Sequence, residues 1–595
     1  MLTPHARFLA RSLILGCLWL AGCGDGGVQV ADAPGGNGAP IDAGGGGAER
    51  PVGTPPLVEP PSGRPTAELP DTVAAARLDE ADVAAARLLA QASFGPTLGS
   101  IAAVRAGGSE AAWIDDQLSR PASLIEPYTR ANSNGSNVAA RHEAFWNNAL
   151  SGEDQLRQRV AFALSQLFVI SDVDYALANA QYGMANYQDM LSRRAFGTYR
   201  ELLEAVTLHP AMGVYLSMVQ NEKADPVNLV RPDENYAREV LQLFSLGLYE
   251  LNGDGTRRRD GQGRPIPAYT QATVEAFARV FTGWDYPDTR YWGDTRIGGD
   301  QYVSAMQPNE AFHDSGAKTL LNGAVSPAGL SARADLEAAL DNIAAHANVA
   351  PLVATHLIQR LVTSDPAPAY VARIAAVFDD DGAGVRGNLG AVVRALLLDP
   401  VARDGHLDDP DFGKLREPIV RLAHVWRALD AVPGPRADGV HNSADAPLYR
   451  LDELTGQAPM NSPSVFNFYL PDHPIVPGGE RLSPEMQIMS EANLAATHNN
   501  YHHHVYRFSN RADLSDDNPR VSIIDLEPLV AIAGDRARLL DWYNLVFYAG
   551  GMPDGVRDIL ADYLGTLPDD DAGRFARVQD TLFMVLASPS FHLQR

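Results

Sequence analysis

Apolar residues recur at three- and four-residue spacing through most of the sequence after residue 73, which is the periodicity of an amphipathic α-helix. Several of these stretches begin with acidic or small polar residues and end at glycine or proline, as helices do. The pattern predicts helices near residues 82–95, 138–150, 153–169, 197–208, 233–246, 271–282, 334–346, 348–363, 386–398, 414–429 and 571–587. Strand signals are sparse and confined to short pieces within residues 285–325. We therefore expect a mainly α fold: a large multi-helix domain, orthogonal or bundle-like, with few short strands.

Length and composition predict the domain organisation. Residues 23–72 are rich in Gly, Ala and Pro and lack the apolar periodicity of a core, which predicts a disordered tether. Residues 73–595 are predicted to form the α-helical domain. Because this length exceeds the usual size of a single core, we expect two sub-lobes that divide near the loop at residues 431–447.

The first 22 residues have the pattern of an export signal, with a basic start and an apolar run too short to span a membrane. The run ends in Leu20-Ala-Gly-Cys23, which resembles a bacterial lipobox. We therefore predict that residues 1–22 are a lipoprotein signal peptide and that Cys23 carries a lipid anchor. The alternative is an ordinary secretory signal with an incidental cysteine. Gly24 after the cysteine favours the outer membrane, with the domain on its periplasmic or surface face.

Charge, cysteine content and missing motifs exclude several classes of site. The net charge of −25 argues against nucleic acid as a partner, because phosphate backbones require a basic face. The two cysteines are Cys17, inside the predicted signal, and Cys23, so no thiol is left for a nucleophile, a zinc site or a disulfide. There is no P-loop, Rossmann, Gly-x-Ser-x-Gly or His-Glu-x-x-His motif. No nucleotide or flavin cofactor is therefore indicated, and a metal ion stays open.

Lysine is scarce: among the 48 basic residues only Lys223, Lys318 and Lys414 are lysines. Arginine and lysine are not interchangeable where a compact ammonium must fit a cavity. We therefore expect these lysines to mark positions where side-chain geometry matters. The alternative is that they persist by chance.

The helix predicted over residues 233–246 has a polar face. Asn235, Arg238, Glu239 and Gln242 recur at i, i+3, i+4 and i+7. Such a stripe can line a site in which Glu239 is a base or a metal ligand held by Arg238. The alternatives are a solvated face and a buried polar seam that joins helices.

The segment Phe312-His-Asp-Ser-Gly-Ala-Lys318 concentrates three functional side chains. His313 can act as a general base or ligand, Asp314 can orient it or bind a metal, and Lys318 can hold an anion. The alternative is a loop whose polar residues only tie it to itself.

Another charged segment opens the helix predicted over residues 414–429. Arg416 and Glu417 are expected to form a structural ion pair. Lys414 near a helix start opposes the helix dipole unless a carboxylate or another anion meets it. Lys414 and Arg416 are therefore candidate site residues, although a structural role is the simpler interpretation.

Two weaker patterns concern metal ions. The glycine-spaced turn that contains Asp254, followed by Asp260, has the oxygen-rich character of a calcium loop but lacks the start and the closing glutamate of an EF-hand. His498 and His502 are one helical turn apart and can share a transition metal. The alternative for Asp254 and Asp260 is an ordinary polar turn. The alternative for His498 and His502 is adventitious binding of a metal ion at the surface.

Several of these stretches, in order along residues 85–590, resemble the bacterial domain of unknown function 1800 (DUF1800) family. The likeness runs through Leu208-His-Pro-Ala-Met212, residues 232–247, Phe281-Thr-Gly-Trp284, residues 312–318, Val362-Thr-Ser-Asp-Pro366, Gly384-Val-Arg-Gly387, Lys414-Leu-Arg-Glu-Pro418, Gly456-Gln-Ala-Pro459 and Ser464-Val-Phe-Asn-Phe-Tyr469. The resemblance implies an exported, largely helical bacterial protein with no established reaction.

The resemblance also suggests a partner protein, and this chain differs from the family pattern at two positions. Members are often encoded beside a second exported family similar to alkaline-phosphatase-like or sulfatase-like proteins (domain of unknown function 1501). This chain has Gln242 where the family has glutamate, and Ala347 where it has proline. The first difference weakens the case for a paired Glu-x-x-Glu metal site on the predicted helix.

Two functions stay open. The first, which we favour slightly, is a non-catalytic binding or assembly partner in the cell envelope. The second is an envelope hydrolase or metal-dependent enzyme with one shared site. That site would be built from Glu239, His313, Asp314, Lys318, Lys414 and Arg416.

Overall fold

The computed structural model describes residues 78–294, 302–409, 411–433, 455–507, 509 and 522–595. The predicted signal peptide, the tether with Cys23 and most of the loop at 431–447 lie outside these residues. The lipid anchor and the lobe boundary therefore stay predictions. The described residues all belong to one compact unit that comprises residues 66–595.

The described chain is mainly α-helical, which confirms the predicted fold class. The α-helices are Glu80–Ala92, Leu98–Ala106, Glu110–Ser119, Glu126–Asn132, Val138–Ser151, Gln155–Ser165, Tyr175–Ala178, Gln181–Arg194, Tyr199–Leu208, Pro210–Tyr215, Asn235–Leu241, Gln271–Val280, Ala332–Ala344, Val349–Leu361, Pro368–Asp379, Leu389–Leu398, Pro400–Asp408, Pro418–Ala428, Glu491–Tyr506, Glu527–Ile532, Arg536–Tyr548, Asp554–Thr566 and Asp571–Ala587. A π-helical turn spans Gln242–Leu246, and 3-10 turns span Leu321–Gly323 and Pro484–Ile488. Within the described ranges, no helix is both long and apolar enough to cross a membrane.

One predicted helix begins later than its apolar pattern suggests. The helix predicted from residue 414 starts at Pro418, where a proline ring fits the first turn. Glu417 before it has extended backbone angles, because the residue preceding a proline is disfavoured in the α region. Lys414 consequently lies in a two-residue strand rather than at a helix start.

The strands form four antiparallel pairs of two residues each. The pairs are Trp284–Asp285 with Gln307–Pro308, Lys318–Thr319 with Val325–Ser326, Lys414–Leu415 with Leu593–Gln594, and Val432–Pro433 with Ser522–Ile523. The first two pairs fall at or close to the region predicted for strands. The other two join distant parts of the chain, which no local pattern indicates.

Two large apolar cores occupy the interior of the described region. The first combines buried side chains mainly from residues 85–412. The second combines Phe94, Phe145, Trp146 and Phe162 with buried residues between 419 and 591. The Trp146 and Trp426 rings meet in the second core with their centroids 5.3 Å apart. Early helices therefore contribute to both cores.

Candidate functional site

Lys318 lies in a group of titratable side chains, some of them fully buried and some partly buried. We call this group the Lys318 centre, and it consists of Lys318, Asp335, His313, Asp314 and Arg279. The lysine Nζ lies 2.5 Å from Asp335 Oδ2 and donates to the backbone oxygens of Asp314 (2.5 Å) and Gly316 (3.0 Å). Its side chain is 1% exposed, so these polar contacts are internal.

Asp335 is the anionic partner of Lys318. It lies in the first turn of the helix Ala332–Ala344, where its Oδ1 accepts a hydrogen bond from the Ser326 hydroxyl and its Oδ2 lies 3.4 Å from His313 Nε2. Burial would raise the pKa of Asp335, but His313, Lys318 and Ser326 outweigh burial and hold the pKa below its ordinary value. The Lys318 centre therefore contains an ionised carboxylate.

The backbone holds His313 on the side opposite Asp335. His313 Nδ1 lies 3.0 Å from the carbonyl oxygen of Thr282, to which it can donate. The next residue, Gly283, has φ +82°, and a Cβ there would lie 2.8 Å from the His313 backbone nitrogen. Only glycine fits this close approach without a shift of the backbone.

Asp314 has a different partner from His313. Its carboxylate accepts two hydrogen bonds from Arg279, at 2.8 and 2.9 Å. Burial opposes ionisation of Asp314, but Arg279 outweighs it and lowers the pKa. The carboxylate beside His313 is thus that of Asp335, which the sequence reasoning missed. Acidic residues are common in first helical turns, so no local signal distinguishes Asp335.

Lys414 lies in a second buried group. We call it the Lys414 centre, and it consists of Lys414, Glu417, Glu485, Arg159 and Arg360. Lys414 Nζ lies 3.0 Å from Glu485 Oε1 and 3.7 Å from Glu417 Oε1, and it donates to the backbone oxygen of Arg360 at 3.0 Å. Its side chain is also 1% exposed. Carboxylates therefore compensate the ammonium of Lys414. The sequence had suggested the need for such a partner by placing Lys414 near a helix start.

Neutral polar groups satisfy the remaining oxygens of the two carboxylates. Glu417 Oε2 accepts hydrogen bonds from the amides of Gln166 and Gln457, both at 2.7 Å. Glu485 Oε2 accepts one from the Ser364 hydroxyl at 2.8 Å. Burial would raise the pKa of Glu417, but the nearby cations of the Lys414 centre outweigh it and lower the pKa. Glu417 is consequently ionised in the interior.

Two buried arginines complete the Lys414 centre. Arg159 donates to the backbone oxygen of Arg360 at 2.5 Å, and the Arg360 guanidinium lies 4.7 Å from the centroid of the Tyr469 ring. The sequence reasoning missed both arginines and Glu485. A buried arginine inside a periodic helical stretch looks the same in sequence as an arginine on the surface.

Four of the stretches that carry the family resemblance meet at the Lys414 centre. Ser364, Gln457 and Tyr469 each come from a separate stretch, and Lys414 comes from the fourth. The sequence therefore marks the contributing segments, one of which also supplies Glu417. The other charged members, Glu485, Arg159 and Arg360, come from outside these stretches.

Arg416 does not form the ion pair with Glu417 that we expected. Its guanidinium donates to the backbone oxygens of Phe591 (2.6 Å) and Phe547 (3.1 Å) and lies 5.3 Å from the centroid of the Phe591 ring. Adjacent side chains of an extended segment point to opposite sides, so Arg416 and Glu417 reach different surroundings. Burial lowers the pKa of Arg416 to about 10.

Glu239 is separate from both centres. It is 8% exposed, and burial raises its pKa despite the nearby charge of Arg238. Among the described residues, its Oε2 has no hydrogen-bond partner. Arg238 instead binds Glu234 at 2.8 Å, one helical turn earlier. The two residues therefore do not form the pair that the stripe suggested.

The two aspartates considered as metal ligands, Asp254 and Asp260, cap turns of the chain. Asp254 Oδ1 accepts hydrogen bonds from the backbone nitrogen (3.0 Å) and the hydroxyl (2.6 Å) of Thr256. Asp260 accepts from the backbone nitrogens of Gln262 and Arg264, both at 2.9 Å. Both aspartates use their oxygens to hold turns of the chain.

The two histidine candidates point to different neighbours although they share the helix Glu491–Tyr506. The His498 ring lies 5.8 Å from that of His592, whereas the His502 ring contacts Tyr506 at 4.8 Å and Phe583 at 5.6 Å. In the described part of the chain, no three His, Cys, Asp or Glu side chains are arranged to hold a metal ion.

The six residues proposed for a shared enzyme site thus divide among several surroundings. His313, Asp314 and Lys318 are together, whereas Lys414, Arg416 and Glu239 each have different contacts. Within the described residues, no hydrogen bond or ion pair joins the Lys318 centre to the Lys414 centre.

The fold and the two centres together describe a class of protein: a large helical protein with buried lysine–carboxylate ion pairs in its interior. The chain belongs to the family described as Protein of unknown function (DUF1800), whose model matches residues 87–593. No curated protein and no solved structure matches the chain.

Proposed function

We propose that this protein is a non-catalytic binding partner in the cell envelope, anchored by a lipid on Cys23. Its docking surface is the loop at residues 466–486, which we call the docking segment. Its partner is the exported phosphatase-like or sulfatase-like protein encoded by a neighbouring gene.

Exposed apolar side chains of the docking segment are the observation that carries this proposal. Five large apolar residues within it are between 40% and 62% exposed. They are Phe466, Leu470, Ile475, Val476 and Met486. Clustered exposed apolar residues mark interaction sites, and exposed charges at Asp472, Glu480 and Arg481 supply the polar rim that protein interfaces have.

Backbone hydrogen bonds order the central part of the docking segment. The nitrogen of Ile475 donates to the oxygen of Arg481 at 2.9 Å, and the nitrogen of Ser483 donates to the oxygen of His473 at 2.9 Å. These bonds form a hairpin whose tip presents Ile475 and Val476. A surface that is already ordered loses less entropy on binding, which favours a specific partner.

The Lys414 centre fixes the base of the docking segment. Glu485, near its end, binds Lys414, and the hydroxyl of Tyr469, near its start, donates to Gln166 at 3.0 Å. The charged side chains of this centre therefore contact each other and the docking segment. This arrangement supports a structural role for Lys414.

Binding to the purified neighbouring protein tests the proposal. We expect the full lipidated chain in detergent to bind it in biolayer interferometry, and the double variant Ile475→Asp, Val476→Asp to bind at least about tenfold more weakly, because two charges would be buried in an apolar contact. The control is Val227→Asp, at a residue that is 89% exposed outside the segment, which should bind like wild type.

Two results would overturn the proposal. One is the absence of binding by wild type, or equal binding by wild type and the double variant. The other is hydrolysis of phosphate, sulfate or peptide substrates by the purified chain that disappears in Lys414→Met while folding is retained.

The lipid anchor has its own test. Metabolic labelling with an alkyne fatty acid should label the wild-type chain and leave Cys23→Ala unlabelled. Cell fractionation should place the labelled chain with the outer membrane. Labelling of the Cys23→Ala variant would show that Cys23 is not the lipid site.

A further inference from the structure

A third group of buried polar side chains lies apart from the docking segment's apolar residues, and its charge is not compensated. We call it the Arg421 cluster, and it consists of Arg421, Tyr501, His498 and His592. Arg421 lies in the helix Pro418–Ala428 and is 1% exposed. Among the described residues, no carboxylate forms an ion pair with it and its Nε has no hydrogen-bond partner. The contact found at its Nη1 is to Met489 Sδ at 3.7 Å, which is weak.

The other three members also have polar atoms without partners. In the described region, the Nε2 atoms of His498 and His592 are buried and make no hydrogen bond. The buried Tyr501 hydroxyl has no partner at full hydrogen-bond geometry, although Arg421 is near enough to interact with it. Tyr501 is 1% and His592 is 5% exposed. Several unsatisfied buried groups at one place are rare in folded proteins and call for a missing partner.

The rings of Tyr501 and His592 both lie next to the Phe591 ring, with centroids 6.4 and 6.2 Å from it. The two imidazole rings lie 5.8 Å apart. Burial, and next the charge of Arg421, lower the pKa of His498 and lower that of His592 to about 3, so both imidazoles are neutral at pH 7. The hydroxyl of Tyr501 is close enough to Arg421 for the guanidinium to oppose the rise that burial causes in the Tyr501 pKa.

Charge balance distinguishes this cluster from the two centres described above. Lys318 and Lys414 face carboxylates, whereas Arg421 faces a phenol and two neutral imidazoles. The second cation nearby, Arg416, is bound to backbone oxygens and also lacks an ion pair with a described carboxylate. A buried charge without a counter-charge is costly, so this site favours an anion.

The cluster borders the surface. Met489, which contacts Arg421, and His498 are only partly buried, whereas Arg421 and Tyr501 are each 1% exposed. A small ligand would therefore enter beside Met489 and His498.

We propose that the Arg421 cluster binds a small oxyanion, a phosphate or a carboxylate group, at the Arg421 guanidinium and beside the Tyr501 hydroxyl. Arginine suits this role because its N–H groups match the oxygens of both anions. The neutral imidazoles of His498 and His592 supply further hydrogen-bonding atoms. The ligand completes the hydrogen bonds that these residues lack.

Isothermal titration calorimetry of the full chain tests this proposal with inorganic phosphate in one arm and acetate in the other, at constant ionic strength. We expect saturable binding in at least one arm, and the arm that binds identifies the group. Loss of a charge-assisted hydrogen bond in Arg421→Met should weaken binding about tenfold or more. Tyr501→Phe, which changes only the hydroxyl, should weaken it several-fold.

Arg427→Met is the matched control. Arg427 lies on the same helix and is also buried, but its guanidinium donates to the backbone oxygens of Gly95 (3.0 Å), Ala149 (3.0 Å) and Leu150 (2.8 Å). This variant should lower the melting temperature and leave the anion affinity unchanged.

Stability without ligand supplies a second readout. In buffer free of phosphate and carboxylates, Arg421→Met should melt at the same temperature as wild type or above it, because it removes an uncompensated buried charge. Saturating anion should raise the melting temperature of wild type alone. The proposal is wrong if wild type binds neither anion saturably, or if Arg421→Met and Tyr501→Phe both bind as tightly as wild type.

Discussion

Lys414 Nζ lies 3.0 Å from Glu485 Oε1, and this contact joins a two-residue strand to the 3-10 turn Pro484–Ile488. Glu417 Oε1 lies 3.7 Å from the same ammonium. Lys414 thus contacts both buried carboxylates and, through Glu485, fixes the base of the docking segment. Its removal should affect both stability and loop order.

Lys414→Met should lower the free energy of unfolding by about 3–5 kcal/mol, because Glu417 and Glu485 would stay buried without the ammonium that contacts both, leaving only the more distant Arg159 and Arg360. Urea unfolding followed by circular dichroism measures this change. The control is Lys223→Met, at an exposed lysine, which should change stability by less than about 0.5 kcal/mol. Equal effects of the two variants would contradict a structural role for the Lys414 centre.

Lys318→Arg tests whether this position requires a compact ammonium. The guanidinium is larger than the space bounded by Asp335 Oδ2 and the backbone oxygens of Asp314 and Gly316, so we expect a loss of about 1–3 kcal/mol from overpacking. The midpoint of urea unfolding reports the loss, with Lys223→Arg as the matched exchange. A variant as stable as wild type would show that lysine scarcity carries no structural information here.

Gly283→Ala should destabilise the Lys318 centre. The new Cβ would lie 2.8 Å from the backbone nitrogen of His313 and 2.9 Å from the oxygen of Asn309. Gly263→Ala is the control, since Gly263 also has a positive φ, +79°, but has no atom within 4 Å of the added Cβ.

We expect the control to cost about 1–2 kcal/mol from backbone strain alone. Gly283→Ala should cost about 1–3 kcal/mol more, because the crowding at His313 adds to the strain. Thermal unfolding of both variants measures the difference. Equal costs would mean that the backbone beside His313 yields to the methyl group.

Buried histidines should make the protein sensitive to acid. Burial lowers the pKa of His356 to about 3, while its Nε2 lies 2.8 Å from the oxygen of Ala163. An unfolded histidine has a pKa of about 6.5, so between these values the unfolded chain binds the proton and the folded chain does not. Stability is therefore lost as pH falls from about 6.5 towards 3.

His356→Gln keeps a hydrogen-bond donor but removes the titrating group. The slope of the unfolding free energy against pH, measured near pH 5, should be lower than that of wild type by about 1.4 kcal/mol per pH unit. His502→Gln, at an exposed position, is the control. Parallel curves for wild type and His356→Gln would contradict burial of a neutral His356.

The helices were predictable from the sequence because their signals are local. Apolar spacing, capping residues and prolines act within a few positions, and they located helices such as Val138–Ser151 and Asp571–Ala587 to within a residue. The error at residue 414 has the same origin: apolar periodicity continued upstream, but Pro418 set the start of the helix.

The segments of the two charged centres were predictable, but their contents were not. Lysine scarcity and the family resemblance pointed to Lys318 and Lys414, and both are buried in ion pairs, whereas Lys223 is exposed. Nothing local distinguishes Asp335 or Glu485, since an acidic residue near a helix start is equally compatible with solvent exposure.

The amino-acid sequence is enough to predict the helical architecture of this protein and to locate its rare lysines. The folded structure is needed to see which carboxylates contact Lys318 and Lys414 and that Arg416 binds carbonyl oxygens instead of Glu417. It also shows that Arg421 forms no ion pair with a carboxylate of the described residues. Local backbone preferences act between neighbours in the chain. The pairing of a buried charge depends on which distant elements pack around it, because desolvation makes an unpaired charge costly and a nearby opposite charge favourable.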